Sequence, residues 1–187
     1  MLDARPLGLD GLLELSPLKF GDARGFFSET YNRERLLDVG VDLDFVQDNH
    51  SFSAASGTLR GLHYQLPPKA QDKLVRVVQG RIFDVAVDIR RQSPTFAQWV
   101  GLEISAEKWN QILVPAGFAH GFVTLEPDTM VIYKVTNTYS PEYDRSIRFD
   151  DPHIGIDWPV DIAGVLLSQK DHSAPPLSEA ELFEYRP

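Results

Sequence analysis

The chain contains no cysteine. That absence removes disulfides, zinc–thiolate centres and cysteine nucleophiles together. Long apolar runs are missing as well: nothing approaches the ~18 consecutive residues that a bilayer-spanning helix requires. Positive charge is scarce, with 18 Lys and Arg against 27 Asp and Glu and a formal net charge of −9. This balance argues against nucleic acid as a partner, because phosphate backbones are held by clustered cations. A single nucleotide stays open, since a few placed cations hold one. The opening MLDARPLGLDG lacks the charged-then-apolar order of a signal peptide, so a cytoplasmic protein is expected. Internal repeats and low-complexity linkers are absent too. With 187 residues, 43% of them hydrophobic, one domain over 1–187 with a sizeable core is expected.

What is present is a series of short strand-like runs. LVRVVQG, RIFDVAVDIR, WVGLEIS, NQILVPAG, GFVTL and MVIYKVTNTY are rich in Val, Ile and aromatics, mostly with polar alternation. Gly80, Pro94, Pro115-Ala-Gly117 and Glu126-Pro-Asp128 punctuate them. The pattern predicts a helix over 31–40, with Gly40 as its C-terminal stop. A second short helix is predicted over 178–184, with Ser178 as cap and Glu181 three residues on. The Pro-rich tail after 173 is expected to wrap the surface. Many strands without βαβ alternation imply an all-β sandwich or small barrel.

The segment GTLRGLHYQLPPKAQDKLVRVVQG, residues 57–80, carries an altered motif. Five residues separate Gly57 from His63, and six separate Lys73 from Gly80. Glycine, five residues, His-x-His, a Glu, six residues and glycine is the frame of the cupin metal motif. Here Gln65 replaces the second His and Lys73 replaces the Glu. The partner motif, Pro-x-Gly-x-x-His, is intact as PAGFAH and places His120 beside His63 in a cupin-type double-stranded β-helix, or jelly roll. A metal needs about three matched N or O donors, and an ammonium beside the cation is unfavourable. The expectation is a cupin pocket without metal.

Such a pocket still offers acid–base chemistry. Lys73 can stabilise an oxyanion, the task a metal would otherwise perform. His63 can act as a base if a carboxylate holds its other nitrogen. A phenol would complete a proton-in, proton-out set. Tyr133 is the candidate, because Val131, Tyr133 and Val135 share one face of a strand.

Together with residues 57–80, the runs GDARGFFSETY, RIFDVAVDIRRQSPTFAQWVG, LVPAGFAHGF, YKVTNTYSP, DDPHIGIDWP and SQKD resemble the dTDP-4-dehydrorhamnose 3,5-epimerase family, in order and over residues 5–180. The resemblance implies a jelly-roll homodimer that exchanges N-terminal strands, needs no cofactor and acts on a dTDP-linked 4-keto-6-deoxy sugar. It implies His63 as general base, Asp171 as its orienting partner, Lys73 as enolate stabiliser and Tyr133 as general acid. It further implies substrate contacts at Arg24, Glu29, Gln47, Asn49, Arg60, His120 and Lys170, with Tyr139 stacked on thymine. Arg24 and Arg60 suit the diphosphate by charge and fork geometry. Asp144 stands where the family carries a substrate-contacting Glu.

Departures at Thr136, Asp144 and Ser146 leave a single-position epimerase, at C3 or C5 only, as the alternative. A metal-dependent cupin oxygenase or a sugar-binding module is a third reading, opposed by Lys73 and by the acid–base set. His50, His153 and His172 match no role and are expected at the surface or in structural contacts. Phe26, Phe27, Phe83 and Phe96 are expected in the core or a dimer interface. Arg90 and Arg91 are expected at a solvated strand end.

Overall fold

The computed structural model describes residues 2–184; Met1 and 185–187 of the expected domain lie outside the described residues. The chain begins with strands β1 (Asp3–Pro6) and β2 (Leu13–Ser16), then a hairpin of β3 (Phe20–Asp22) and β4 (Gly25–Phe27). Helix α1 (Arg33–Asp38) follows. Strands β5 (Gln47–Ser53), β6 (Leu59–Gln65), β7 (Lys73–Gln79) and β8 (Arg81–Asp88) come next. After the short β9 (Arg90–Arg91) come β10 (Trp99–Ser105), β11 (Gln111–Val114), β12 (Phe118–Thr124), β13 (Thr129–Val135) and β14 (Asp144–Ser146). The one-turn helix α2 (Gln169–His172) and β15 (Phe183–Glu184) complete the order.

Two antiparallel sheets face each other. One has the order β1-β2-β11-β7-β13-β5, the other β10-β8-β12-β6-β14. This is the jelly roll expected from the motifs. All six strand-like runs read from the sequence appear, as β7, β8, β10, β11, β12 and β13.

Period-two geometry sends alternate residues of each strand to one face. Val75 and Val77 of β7, Ile112 and Val114 of β11, and Val131 of β13 meet Ile82, Ala86, Ile104, Phe118 and Phe122 from the other sheet, forming the inner core. The outer face of the six-stranded sheet is sealed by α1, whose Leu36 packs with Leu15, Leu74 and Leu113. Asn32 caps that helix, its side chain accepting from the amides of Glu34 and Arg35, a device worth about 1 kcal/mol. Gly40 follows at φ +84, the left-handed stop predicted for it.

The outer face of the five-stranded sheet is covered by the C-terminal segment from Phe149 onward. Leu62, Tyr64, Val85 and Val87 pack against Phe149, Trp158, Leu177, Ala180 and Phe183. The tail therefore closes a second core as well as wrapping the surface. The helix predicted at 178–184 does not form. A 3-10 turn at Leu177–Glu179 and strand β15 stand there instead. The turn is entered at Pro176 with no side-chain capping bond, and Phe183 and Glu184 pair with Arg90 and Arg91 of β9 instead of coiling. Arg90 also departs from expectation: Asp88 accepts from its guanidinium at 2.9 Å, and it lies over the Phe118 ring. Arg91 is exposed, as are His50, His153 and His172.

Candidate active site

Polar residues interrupt the inner apolar rows at one end of the sandwich. Lys73 continues the row of Val75 and Val77, and Tyr133 continues that of Val131. Across the gap, His120 sits between Phe118 and Phe122, and Asp84 sits between Ile82 and Ala86. His63, on β6, pairs directly with His120 of β12, next to a register shift at residues 120–122. Gly61 permits this close approach: a Cβ there would lie 2.6 Å from the Gly121 Cα and 2.8 Å from the His120 carbonyl.

Lys73, Tyr133, His63, His120 and Phe122 line one cavity of about 320 Å³, with Asp84 behind His120. It gathers His63, Lys73, His120, Tyr133 and Asp171 with Gln47, Asn49, Arg60, Tyr139, Asp144 and Lys170. Eleven of the thirteen residues singled out in the sequence thus share one wall system. Arg24 and Glu29 do not. Arg24 stands at the turn of the β3–β4 hairpin and bonds Asp22, while Glu29 lies 3.9 Å from Arg35.

The His63 Nε2 lies 2.5 Å from Oδ1 of the buried Asp171. Ser168 caps α2 and donates its hydroxyl to the other Asp171 oxygen at 2.8 Å. Burial pushes the Asp171 carboxyl up, but hydrogen bonds from His63 and Ser168 and the nearby charges outweigh it and hold it below the usual range. The carboxylate is thus fixed in its charged form. Nδ1 of His63 remains to exchange a proton.

Lys73 is buried and donates to the His63 carbonyl at 3.2 Å. Burial pulls its ammonium down to about 8, against the opposing pull of Asp84 and Asp144 and with a smaller push from Lys170. The Tyr133 phenol moves the other way. Burial raises it, partly countered by Arg60 and aided by Asp144, so it keeps its proton at neutral pH.

At the mouth, Tyr139 is exposed and its hydroxyl donates to Asp144 at 3.1 Å. Lys170 donates to the same Asp144 oxygen. Gln47 accepts from the Tyr139 amide at 3.0 Å and donates to Asn49 at 2.8 Å. Arg60 donates to the Phe52 carbonyl at 3.1 Å, which holds its guanidinium beside β5.

Gln65, the residue in the second histidine position, has a structural task. Its Nε2 donates to the carbonyls of Lys69 and Thr138, and its Oε1 accepts from the Ser140 amide at 2.7 Å. It pins the loop that carries Tyr139. Among the described residues no group of three His, Asp or Glu side chains is arranged to hold a metal ion.

Sequence reasoning missed Asp84, Ser51, Gln71 and Phe122 among the residues around the cavity. Asp84 left a signal: a carboxylate in the apolar row Ile82–Asp84–Ala86 is costly unless paired. Ser51 left none.

Comparison with known proteins agrees with this geometry. The family described as dTDP-4-dehydrorhamnose 3,5-epimerase matches residues 6–179. A protein of that name from Sinorhizobium fredii is 52% identical over 91% of this chain and 88% of its own length. One from Pseudomonas aeruginosa is 49% identical over 97% of this chain and 99% of its own. The crystal structure of a dTDP-6-deoxy-D-glucose-3,5-epimerase from Legionella pneumophila, in complex with dTDP-4-keto-L-rhamnose, superposes with a TM-score of 0.95. It is 43% identical, with 100% of both chains covered.

Proposed function

The chain belongs to the dTDP-4-dehydrorhamnose 3,5-epimerase family, and on that premise we propose how its residues divide the reaction. The protein is an isomerase that epimerises dTDP-4-dehydro-6-deoxy-D-glucose at C3 and C5, giving dTDP-4-dehydro-L-rhamnose for dTDP-L-rhamnose synthesis. The 4-keto group acidifies the hydrogens on both neighbouring carbons. Nδ1 of His63 takes each proton in turn, while Asp171 stabilises the imidazolium that forms. The electron pair moves onto the C4 oxygen as an enolate, which the Lys73 ammonium stabilises. Tyr133 then delivers a proton to the opposite face of the same carbon.

One observation carries this assignment. His63 stands on β6 of the five-stranded sheet and Tyr133 on β13 of the six-stranded sheet, with the cavity between them. Inversion needs a base and an acid on opposite sides of a carbon, and an imidazole and a phenol on facing walls suit that need. In this reading Tyr139 stacks on thymine and Arg60 meets the diphosphate, which the exposure of Tyr139 at the mouth and the guanidinium in the cavity wall support. Asp144 bonds Lys170 and Tyr139 in spite of its short side chain, and so orders two residues of the proposed substrate site.

The homodimer belongs to the same proposal. Phe20, Phe26 and Phe27 of the β3–β4 hairpin are exposed around Arg24, although Phe26 also meets the Trp109 ring edge-to-face. A second subunit would cover that hairpin and receive Arg24 and Glu29 at its cavity. Among the described residues no helix is long and apolar enough to cross a membrane, and a cytoplasmic location completes the proposal. The test is proton NMR of the 4-keto sugar nucleotide incubated with the protein in D2O. Deuterium is expected at both C3 and C5, with the L-rhamno product; deuterium at one carbon alone would restrict the activity to that centre.

A further inference from the structure

Asp84 has no part in the proton transfers above, and its surroundings ask for one. It is fully buried, between Ile82 and Ala86 of the inner core. Its two oxygens both accept from Nε2 of His120, at 3.0 and 2.9 Å, and among the described residues from no other side chain. A buried carboxylate is costly to retain where an aliphatic residue would pack with Ile82 and Ala86. Both groups it acts on, His120 and Lys73, line the reaction cavity.

We propose that Asp84 is a positioning residue of this active site. It holds the His120 proton on Nε2, leaving Nδ1 as an acceptor for a sugar hydroxyl, and it supplies the fixed negative charge that keeps Lys73 an ammonium beside the enolate. Lys73 has few other sources of that charge. Among the groups that face it, Asp144 of β14 assists, Lys170 of α2 opposes, and the His63 carbonyl of β6 accepts its hydrogen bond. The fold thus carries two His–Asp pairs with different tasks: His63–Asp171 moves the proton, and His120–Asp84 tunes the wall that receives the charge.

This inference rests on the epimerase reading, and its test separates the two. Turnover and its pH dependence are measured for the wild type, Asp84→Asn and His120→Gln, with thermal unfolding as a check on folding. In Asp84→Asn the alkaline limb is expected to move down by on the order of one pH unit, because an anion that favoured the ammonium is lost. Its kcat at neutral pH should fall on the order of 10-fold or more, with KM changed much less. His120→Gln should lower kcat while leaving the alkaline limb in place, since Asp84 keeps its charge. If the asparagine chain does not fold, Asp84→Glu replaces it and is expected to retain the wild-type limb.

A merely structural Asp84 would lower stability without moving the limb. An unmoved limb in Asp84→Asn, or a displaced one in Asp84→Glu, overturns the proposal. An inert wild type would instead defeat the epimerase reading. In that case the ¹³Cε titration of Lys73, in the wild type and Asp84→Asn, still measures the coupling: a lowered midpoint supports it and an equal midpoint refutes it.

Discussion

The imidazole of His63 is 2.5 Å from the carboxylate of Asp171, although 108 positions separate them in the chain. The pair forms because α2, capped by Ser168, sets Asp171 against the inner end of β6. Removing either partner isolates a different function. His63→Ala is expected to lose on the order of 10²–10⁴ in kcat with the fold intact, the usual worth of a general base. Asp171→Asn keeps the shape but not the charge, and should lose on the order of 10² or more while still binding the substrate. Steady-state kinetics with circular dichroism checks both; a tenth of wild-type turnover in His63→Ala would move the base elsewhere.

Lys73 is expected to set the alkaline behaviour. Its ammonium, drawn down to about 8 by burial, must be protonated to stabilise the enolate, so kcat should fall as pH rises through about 8. Stability moves the opposite way. An unfolded Lys73 holds its proton up to its ordinary range, so between about 8 and 10.5 the unfolded chain binds more protons and this residue's contribution rises with pH. Turnover and denaturant midpoints measured across that window should diverge. Lys73→Arg is expected to flatten the alkaline loss, since a guanidinium keeps its charge there.

Metal should be dispensable. Nε2 of His63 is engaged by Asp171, Nε2 of His120 by Asp84, and Lys73 places a cation where a third ligand would stand. Activity is expected to survive exhaustive chelation, with substoichiometric Zn, Fe or Ni by elemental analysis. One tightly held ion per chain, with activity lost on its removal, would contradict this reading.

Arg24 gives a test of the dimer. Arg24→Ala and His63→Ala chains should each be nearly inactive alone, yet regain activity when mixed and refolded together. A hybrid dimer has one site with both residues, so statistical mixing predicts about a quarter of wild-type turnover. Absence of any recovery would place Arg24 outside the partner's cavity.

Much of this was legible in the sequence because the site is written as exceptions to strand periodicity. Lys73, His120 and Tyr133 each break an apolar row that alternation predicts to face inward, and the runs around them gave six strands correctly. β5, by contrast, was not read as a strand. It is an edge strand whose Asp48, His50 and Phe52 face outward, so its pattern QDNHSFS lacks the apolar alternation of a buried one. Gln47 and Asn49 were found only through resemblance for that reason. Arg24 and Glu29 show another limit: the cavity of their own chain does not include them, and the dimer proposed to use them is not encoded in local pattern. The C-terminal helix failed because a segment of about seven residues is too short to offset helix nucleation, its cap bond is not made, and its last two residues pair with β9.

The central claim is that the two walls of the cavity hold separate proton carriers, and Tyr133→Phe tests it most directly. The change removes one oxygen and keeps the ring, so binding through Tyr139 and the arginines should persist. His63 can still abstract a proton and return it to the same face, exchanging it with solvent without inversion. In D2O, deuterium is therefore expected to enter C3 or C5 faster than any epimer forms. Inversion of both carbons at the wild-type rate would contradict the account and assign the acid to another group.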